Sequence, residues 1–184
     1  ANPAKKRVIL FSPHPDDDVI SMGGTFQRLV DQGHDVHVAY QTSGNIAVHD
    51  WDALRYAEFM FEFAETQGSL SDEDRKRYQK MIKFLRNKKS GDPDSPEVRN
   101  IKGVIRRGEA RAGARFTGLA DDHIHFLDMP FYETGRTRKK PLGEEDIRIV
   151  ANLIEQIKPH QVYAAGDLAD PHGTHRVCLD AIFD

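Results

Sequence analysis

Ser12-Pro13-His14-Pro15-Asp16-Asp17-Asp18 gathers one imidazole and three carboxylates in a turn stiffened by two prolines. Such a mixture suits Zn2+, which accepts nitrogen and oxygen ligands and in catalytic sites takes three protein groups while keeping one position open. The prolines lower the entropy cost of converging short side chains on one ion. A second polar cluster, Asp170-Pro171-His172-Gly173-Thr174-His175, lies far along the chain. One histidine and a carboxylate from the first cluster, with one histidine from the second, complete a three-ligand site. Zinc in such a site brings the pKa of bound water near ~7 and polarises a carbonyl oxygen.

These clusters must be brought together by the elements that carry them. Arg7 to Ser12 is a continuous apolar run closed by Pro13 and Pro15, the pattern of a strand buried on both faces. Val19, Met22, Phe26, Leu29 and Val30 then recur at helical spacing from about Asp18 to Gln32, and Gly33 supplies a stop. Asp35 to Tyr40 is a second strand, so the opening is a β–α–β crossover and the sheet is parallel. Leu54, Tyr56, Phe59, Met60 and Phe63 predict a helix near Trp51 to Glu65. Ser71 opens a capped helix through Tyr78, Met81, Ile82 and Leu85, and after a Gly/Pro-rich loop a third helix runs from about Glu97 to Thr117. Residues Trp51 to Pro96 read as a helical insertion in the β–α–β frame. The frame resumes with a strand at His123–Asp128, a helix at Glu144–Ile157 and a strand at Gln161–Gly166. The expected fold is α/β: a Rossmann-like parallel sheet of order 3-2-1-4 with helices on both faces. In that order the first and fourth strands are neighbours, and the two polar clusters face each other across the switch-point crevice.

The bulk properties narrow the class. At 184 residues the chain has the length of a single domain, expected to span 1–184. A net charge of -3 argues against general affinity for nucleic acid. Cys178 is the lone cysteine and lies in no C-x-x-C pattern, which fits the reducing cytoplasm. No apolar run approaches the ~20 residues that span a bilayer, and no charged-then-apolar leader opens the chain, so no membrane insertion is expected.

His14-Pro15-Asp16-Asp17 with a downstream His172-x-x-His175 resembles the paired motifs of the LmbE/PIG-L deacetylase family. The likeness takes in Thr42-Ser43-Gly44 after the second strand and Arg107-x-Glu109-Ala110 before the third, and runs from about Lys6 to the last residue. It implies a zinc-dependent N-deacetylase acting on an N-acetylated amino sugar. It also implies that His14, Asp17 and His175 are the zinc ligands, Asp16 the general base and His172 the oxyanion donor. Arg107 and Asp128 match positions near the substrate. The chain ends soon after His175, before the final strands and helices of the family, so the C-terminal part of the family domain is expected to be missing. The sequences Gln41–Asn45 and Met129–Tyr132 are similar to those of bacterial proteins in which such a domain follows a glucosamine-6-phosphate deaminase-like domain.

Several residues have plainer readings. An Asp-rich turn after a strand often caps a helix, a role assigned here to Asp18. Gly23-Gly24 is no dinucleotide fingerprint, since no G-x-G-x-x-G follows the first strand. His34, His37, His49, His123, His125 and His160 show no partner pattern and read as surface or core residues. The face of Arg75, Lys76, Lys80, Lys83 and Arg86 reads as solvated, whereas Arg136, Arg138, Lys139 and Lys140 are expected at the site rim, favouring an anionic substrate. Two other functions compete. A Mg2+ phosphoryl-transfer site would use Asp16, Asp17 and Asp18, but the histidines disfavour an ion that prefers oxygen. The other is a non-catalytic sugar-binding or regulatory domain attached to a glucosamine-6-phosphate deaminase-like enzyme.

Overall fold

The computed structural model describes residues 4–136, 138–167 and 169–184. These fall into two compact units, one of Ala1–Ser43, Arg107–Thr134 and Arg138–Asp184, the other of Gly44–Arg106 and Gly135–Thr137. Among the described residues no helix is long and apolar enough to cross a membrane.

The first unit holds a four-stranded sheet of order β3-β2-β1-β4, built from β1 (Arg7–Ser12), β2 (Asp35–Tyr40), β3 (Ile124–Phe126) and β4 (Gln161–Ala164). Every pairing is parallel, with Ser12 level with Tyr40 and Phe11 level with Ala164. This is the order expected from the sequence. Val8 and Leu10 face the same side as Val36, Val38 and Tyr40, where they bury Phe26 and Leu29 of α2 (Gly23–Asp31) and Ala110 and Ala114 of α5 (Pro96–Phe116). Each valine, leucine or phenylalanine side chain so buried contributes about 1.5–3 kcal/mol. Strand alternation sends Ile9 and Phe11 to the opposite side. α6 (Glu144–Ile157) buries Val150, Leu153 and Ile157 and packs with α7 (Thr174–Phe183).

The helix expected from Asp18 to Gln32 is two pieces, α1 (Asp17–Ile20) and α2. Met22 leaves helical geometry at φ -128°, and Gly23-Gly24 follows, a pair that costs a continuous helix about 1 kcal/mol per glycine. The third strand is shorter than the expected His123–Asp128. Asp121–His123 forms a 3-10 turn before it, and Asp128, at φ 47°, turns the chain after it. The fourth strand ends at Ala164, not Gly166.

The second unit contains α3 (Asp50–Thr66), α4 (Asp72–Asn87) and the first part of α5. Ser71 caps α4 by accepting the Asp74 N–H at 3.1 Å. Its core is Ala53, Ala57, Ile82, Leu85, Val98 and Ile101, flanked by Leu54 and Phe61. The stripe suggested by Phe59 and Phe63 is not the buried one: these rings are 64% and 56% exposed. Ala53 and Ala57 lie inward instead, and their small side chains let α4 come close.

Candidate active site

The turn after β1 is built around its own backbone. The Asp16 and Asp17 N–H groups donate to the His14 carbonyl at 2.8 and 3.3 Å, and Ser12 Oγ donates to the same carbonyl at 2.5 Å while accepting the Asp18 N–H at 2.9 Å. Thr42, at the end of β2, ties the turn to the neighbouring strand by donating Oγ1 to the Pro13 carbonyl at 2.7 Å. Asp18 lies in the first turn of α1, where its carboxylate accepts the backbone N–H groups of Asp18 and Val19. It is buried, and its Oδ2 accepts the Tyr40 hydroxyl at 2.8 Å. Burial pushes its carboxyl above the ordinary range, against the Tyr40 hydrogen bond. The N-cap position belongs to Asp16, whose side chain makes no capping bond.

The loop after β4 is organised by Asp170. Its Oδ1 accepts the His172 N–H and its Oδ2 the His175 N–H, both at 3.0 Å, which sets His175 in the first turn of α7. Burial acts to raise the Asp170 carboxyl, and these two backbone donors outweigh it and hold it below the ordinary range. Gly173 takes φ 70° at the helix entry, a left-handed conformation that side chains rarely adopt.

Because β1 and β4 are paired, the two loops meet. His14 Nδ1 lies 3.1 Å from His175 Nε2 although the residues are 161 positions apart, and Asp17 Oδ2 lies 3.2 Å from each nitrogen. Tetrahedral zinc with ligands near 2.0–2.2 Å places its ligand atoms about 3.3 Å apart. Three lone-pair atoms forming a nearly equilateral triangle of that size repel one another unless a cation or proton lies among them. A proton can be shared by two of the three, whereas a dication satisfies all. The donor set of two imidazoles and one carboxylate fits zinc and does not fit magnesium. Burial works to raise the Asp17 carboxyl, but hydrogen bonds from the His14 ring and backbone, with the charges of His175 and His14, hold it below the ordinary range.

Of the residues singled out in the sequence, His14, Asp17 and His175 thus come together. Asp16 and His172 stand on the same two loops, outside the triangle. Arg107 and Asp128 meet each other, as an ion pair after β3, with the Arg107 guanidinium 5.4 Å over the Phe126 ring. Of the four basic loop residues, Lys139 reaches toward the triangle. Its Nζ lies 4.6 Å over the Tyr132 ring, and that ring meets His14 edge-on at 5.8 Å. Burial lowers the Lys139 pKa. Tyr132 carried no signal of this contact in the sequence. Asp170 did: an Asp before Pro-His in a turn is an acceptor for the N–H groups that follow.

The chain is similar to known proteins. A glucosamine-6-phosphate deaminase-like protein of Bacteroides thetaiotaomicron is 56% identical over the whole chain, which spans 28% of that relative's length. A diacetylchitobiose deacetylase of Thermococcus kodakarensis is 30% identical over 174 residues, 88% of this chain and 59% of the relative. The chain thus spans less than two thirds of either relative. It belongs to the PIG-L family, whose model, described as GlcNAc-PI de-N-acetylase, matches residues 9–184.

Proposed function

We propose that the protein is a zinc-dependent hydrolase that removes the acetyl group from an N-acetylated amino sugar. The observation that carries this reading is the triangle of His14 Nδ1, Asp17 Oδ2 and His175 Nε2, with edges of 3.1 to 3.2 Å beyond the carboxyl ends of β1 and β4. Family membership supports the reaction class, and the relative named a diacetylchitobiose deacetylase supports the sugar. A cytoplasmic setting fits the unpaired Cys178 thiol.

His14, Asp17 and His175 would hold the metal. When bound, zinc supplies Lewis acidity, lowering the pKa of water toward ~7 and drawing electron density from the amide carbonyl. Asp16, next to the ligand Asp17, receives the proton of the attacking water on a carboxylate oxygen. His172 donates a ring N–H to the carbonyl oxygen as negative charge develops there. Between them these two groups hold the proton that the departing amine nitrogen needs. Arg107 and Asp128 bind the sugar, and Lys139 favours a substrate carrying an anionic group. Acetate release is the test, measured on N-acetylglucosamine, its 6-phosphate and diacetylchitobiose. Release from at least one, abolished by a chelator, is expected.

A second reading rests on the Bacteroides relative, in which the matched region is a minor part of a deaminase-like protein. There the chain would bind an amino sugar without hydrolysing it. Sugar binding and zinc occupancy with no acetate release from any of the three compounds would favour it.

A further inference from the structure

Histidines gather a second time, at the amino ends of β2 and β3. Asp35 and His37 lie two residues apart on β2 and so project from one face of that strand, while His123 closes the 3-10 turn just before β3, two residues ahead of His125. His123 Nε2 lies 2.9 Å from Asp35 Oδ1, and His37 Nε2 lies 3.7 Å from the same oxygen. One ligand atom from each of Asp35, His37 and His123 lies within 4.8 Å of the others. Asp35 is level with Arg7 at the start of β1, so the cluster is about 16 Å of strand from Ser12, where the first site begins.

The outer hydrogen bonds of the cluster carry the argument. Metal-binding imidazoles almost always engage their other ring nitrogen with a carboxylate, carbonyl or second acceptor, which fixes the tautomer and aims the lone pair at the ion. His123 Nδ1 lies 2.7 Å from the Asp122 carboxylate, and His37 Nδ1 lies 3.0 Å from His125 Nε2. Both rings are thereby set with Nδ1 outward and Nε2 toward Asp35. Asp35 and His123 also line an open cavity of about 230 Å³, which gives an ion access and water for a fourth ligand.

We propose that Asp35, His37 and His123 form a second metal site, one that takes a borderline transition-metal dication such as zinc and clamps β2 to the start of β3. Two imidazoles and a carboxylate select that class over magnesium or calcium. The His37 and His123 rings stack at 4.3 Å and 17° between planes, so binding opens them by rotation about χ2. The site is therefore weaker than the first, where the donor triangle already has its final size.

Zinc titration with metal analysis tests this. Wild-type protein should bind two equivalents, and His175→Ala, which removes a ligand of the first site, should keep the weaker one. Adding His37→Gln to that variant should abolish it. Asp122→Asn, at a side chain 80% exposed and so harmless to folding, should weaken it by ~10–100-fold. In nitrogen NMR of the imidazoles, zinc should shift Nε2 of His37 and His123 and leave their Nδ1 protonated. A His175→Ala protein that binds no zinc overturns the proposal, as does one whose affinity is unchanged by His37→Gln. Should His37→Gln fail to fold, unchanged affinity in His175→Ala/Asp122→Asn overturns it equally.

Discussion

The backbone N–H of His14 donates to Asp17 Oδ2 at 2.8 Å, and the same oxygen lies 3.2 Å from His14 Nδ1. The turn after β1 therefore aims the Asp17 carboxylate before any ion arrives, and the triangle it completes is made with His14 and His175.

Two adjacent carboxylates should for this reason differ when neutralised. Asp17→Asn removes the only anionic member of the triangle, and zinc affinity should fall by more than the ~10–100-fold typical of losing an outer-shell partner. Asp16→Asn should leave the first zinc bound and cut kcat by ~10²–10⁴, the contribution of a positioned general base. Zinc content and rate measured on the same samples separate them. Loss of metal from Asp16→Asn with metal and rate intact in Asp17→Asn would reverse the two roles.

Lys139 stacks on Tyr132, which abuts His14, so its charge is held beside the triangle. Lys139→Met should raise KM for N-acetylglucosamine 6-phosphate about tenfold, in keeping with the ~1.5–3 kcal/mol of a charge-assisted hydrogen bond. KM for the neutral sugar should stay within about twofold. Equal changes for both sugars would remove Lys139 from substrate selection.

In the second unit, Lys102 is 3% exposed and meets Asp50 Oδ1 at 2.6 Å and Asp94 Oδ2 at 2.9 Å, while Lys88 meets the same two carboxylates. Burial works to raise the Asp50 carboxyl, but the hydrogen bonds from Lys102 and Lys88 hold it below its ordinary 3.8. A carboxyl with a depressed pKa in the folded state stabilises at pH above the unfolded value and loses that contribution as pH falls through the folded one. With the carboxyl 39% exposed, solvent screening limits the contribution to about 1 kcal/mol. Asp50→Asn should then lower Tm at pH 7 by about 2–4 °C, and the gap should narrow as the pH falls below 3.8 and through the lower folded-state pKa. A gap that persists unchanged in acid would show that the effect is not ionic.

Much of this was legible in the residues, because local pattern and topology coincide. The run Arg7–Ser12 reads as a buried strand, its prolines close it, and a parallel sheet of order 3-2-1-4 brings the two polar clusters together. Other features depend on contacts that no local pattern encodes. The alternation Asp35-x-His37 and His123-x-His125 was visible, but its meaning lies in the β2–β3 register, which joins segments 88 positions apart. Tyr132 reaches His14 only because the chain reverses after β3, with Asp128 at φ 47°. In α3 the large rings of Phe59 and Phe63 are exposed, and the buried face is marked instead by Ala53 and Ala57, whose smallness permits burial.

We propose that the His14, Asp17 and His175 triangle holds the zinc on which acetate release depends. Acetate release from N-acetylglucosamine or its 6-phosphate, followed while chelator-stripped protein is reloaded with zinc, tests it most directly. Activity should vanish on stripping, return with the first and tighter equivalent, and remain absent in His175→Ala however much zinc is added. Acetate release that survives stripping, or that returns in His175→Ala, would contradict the account.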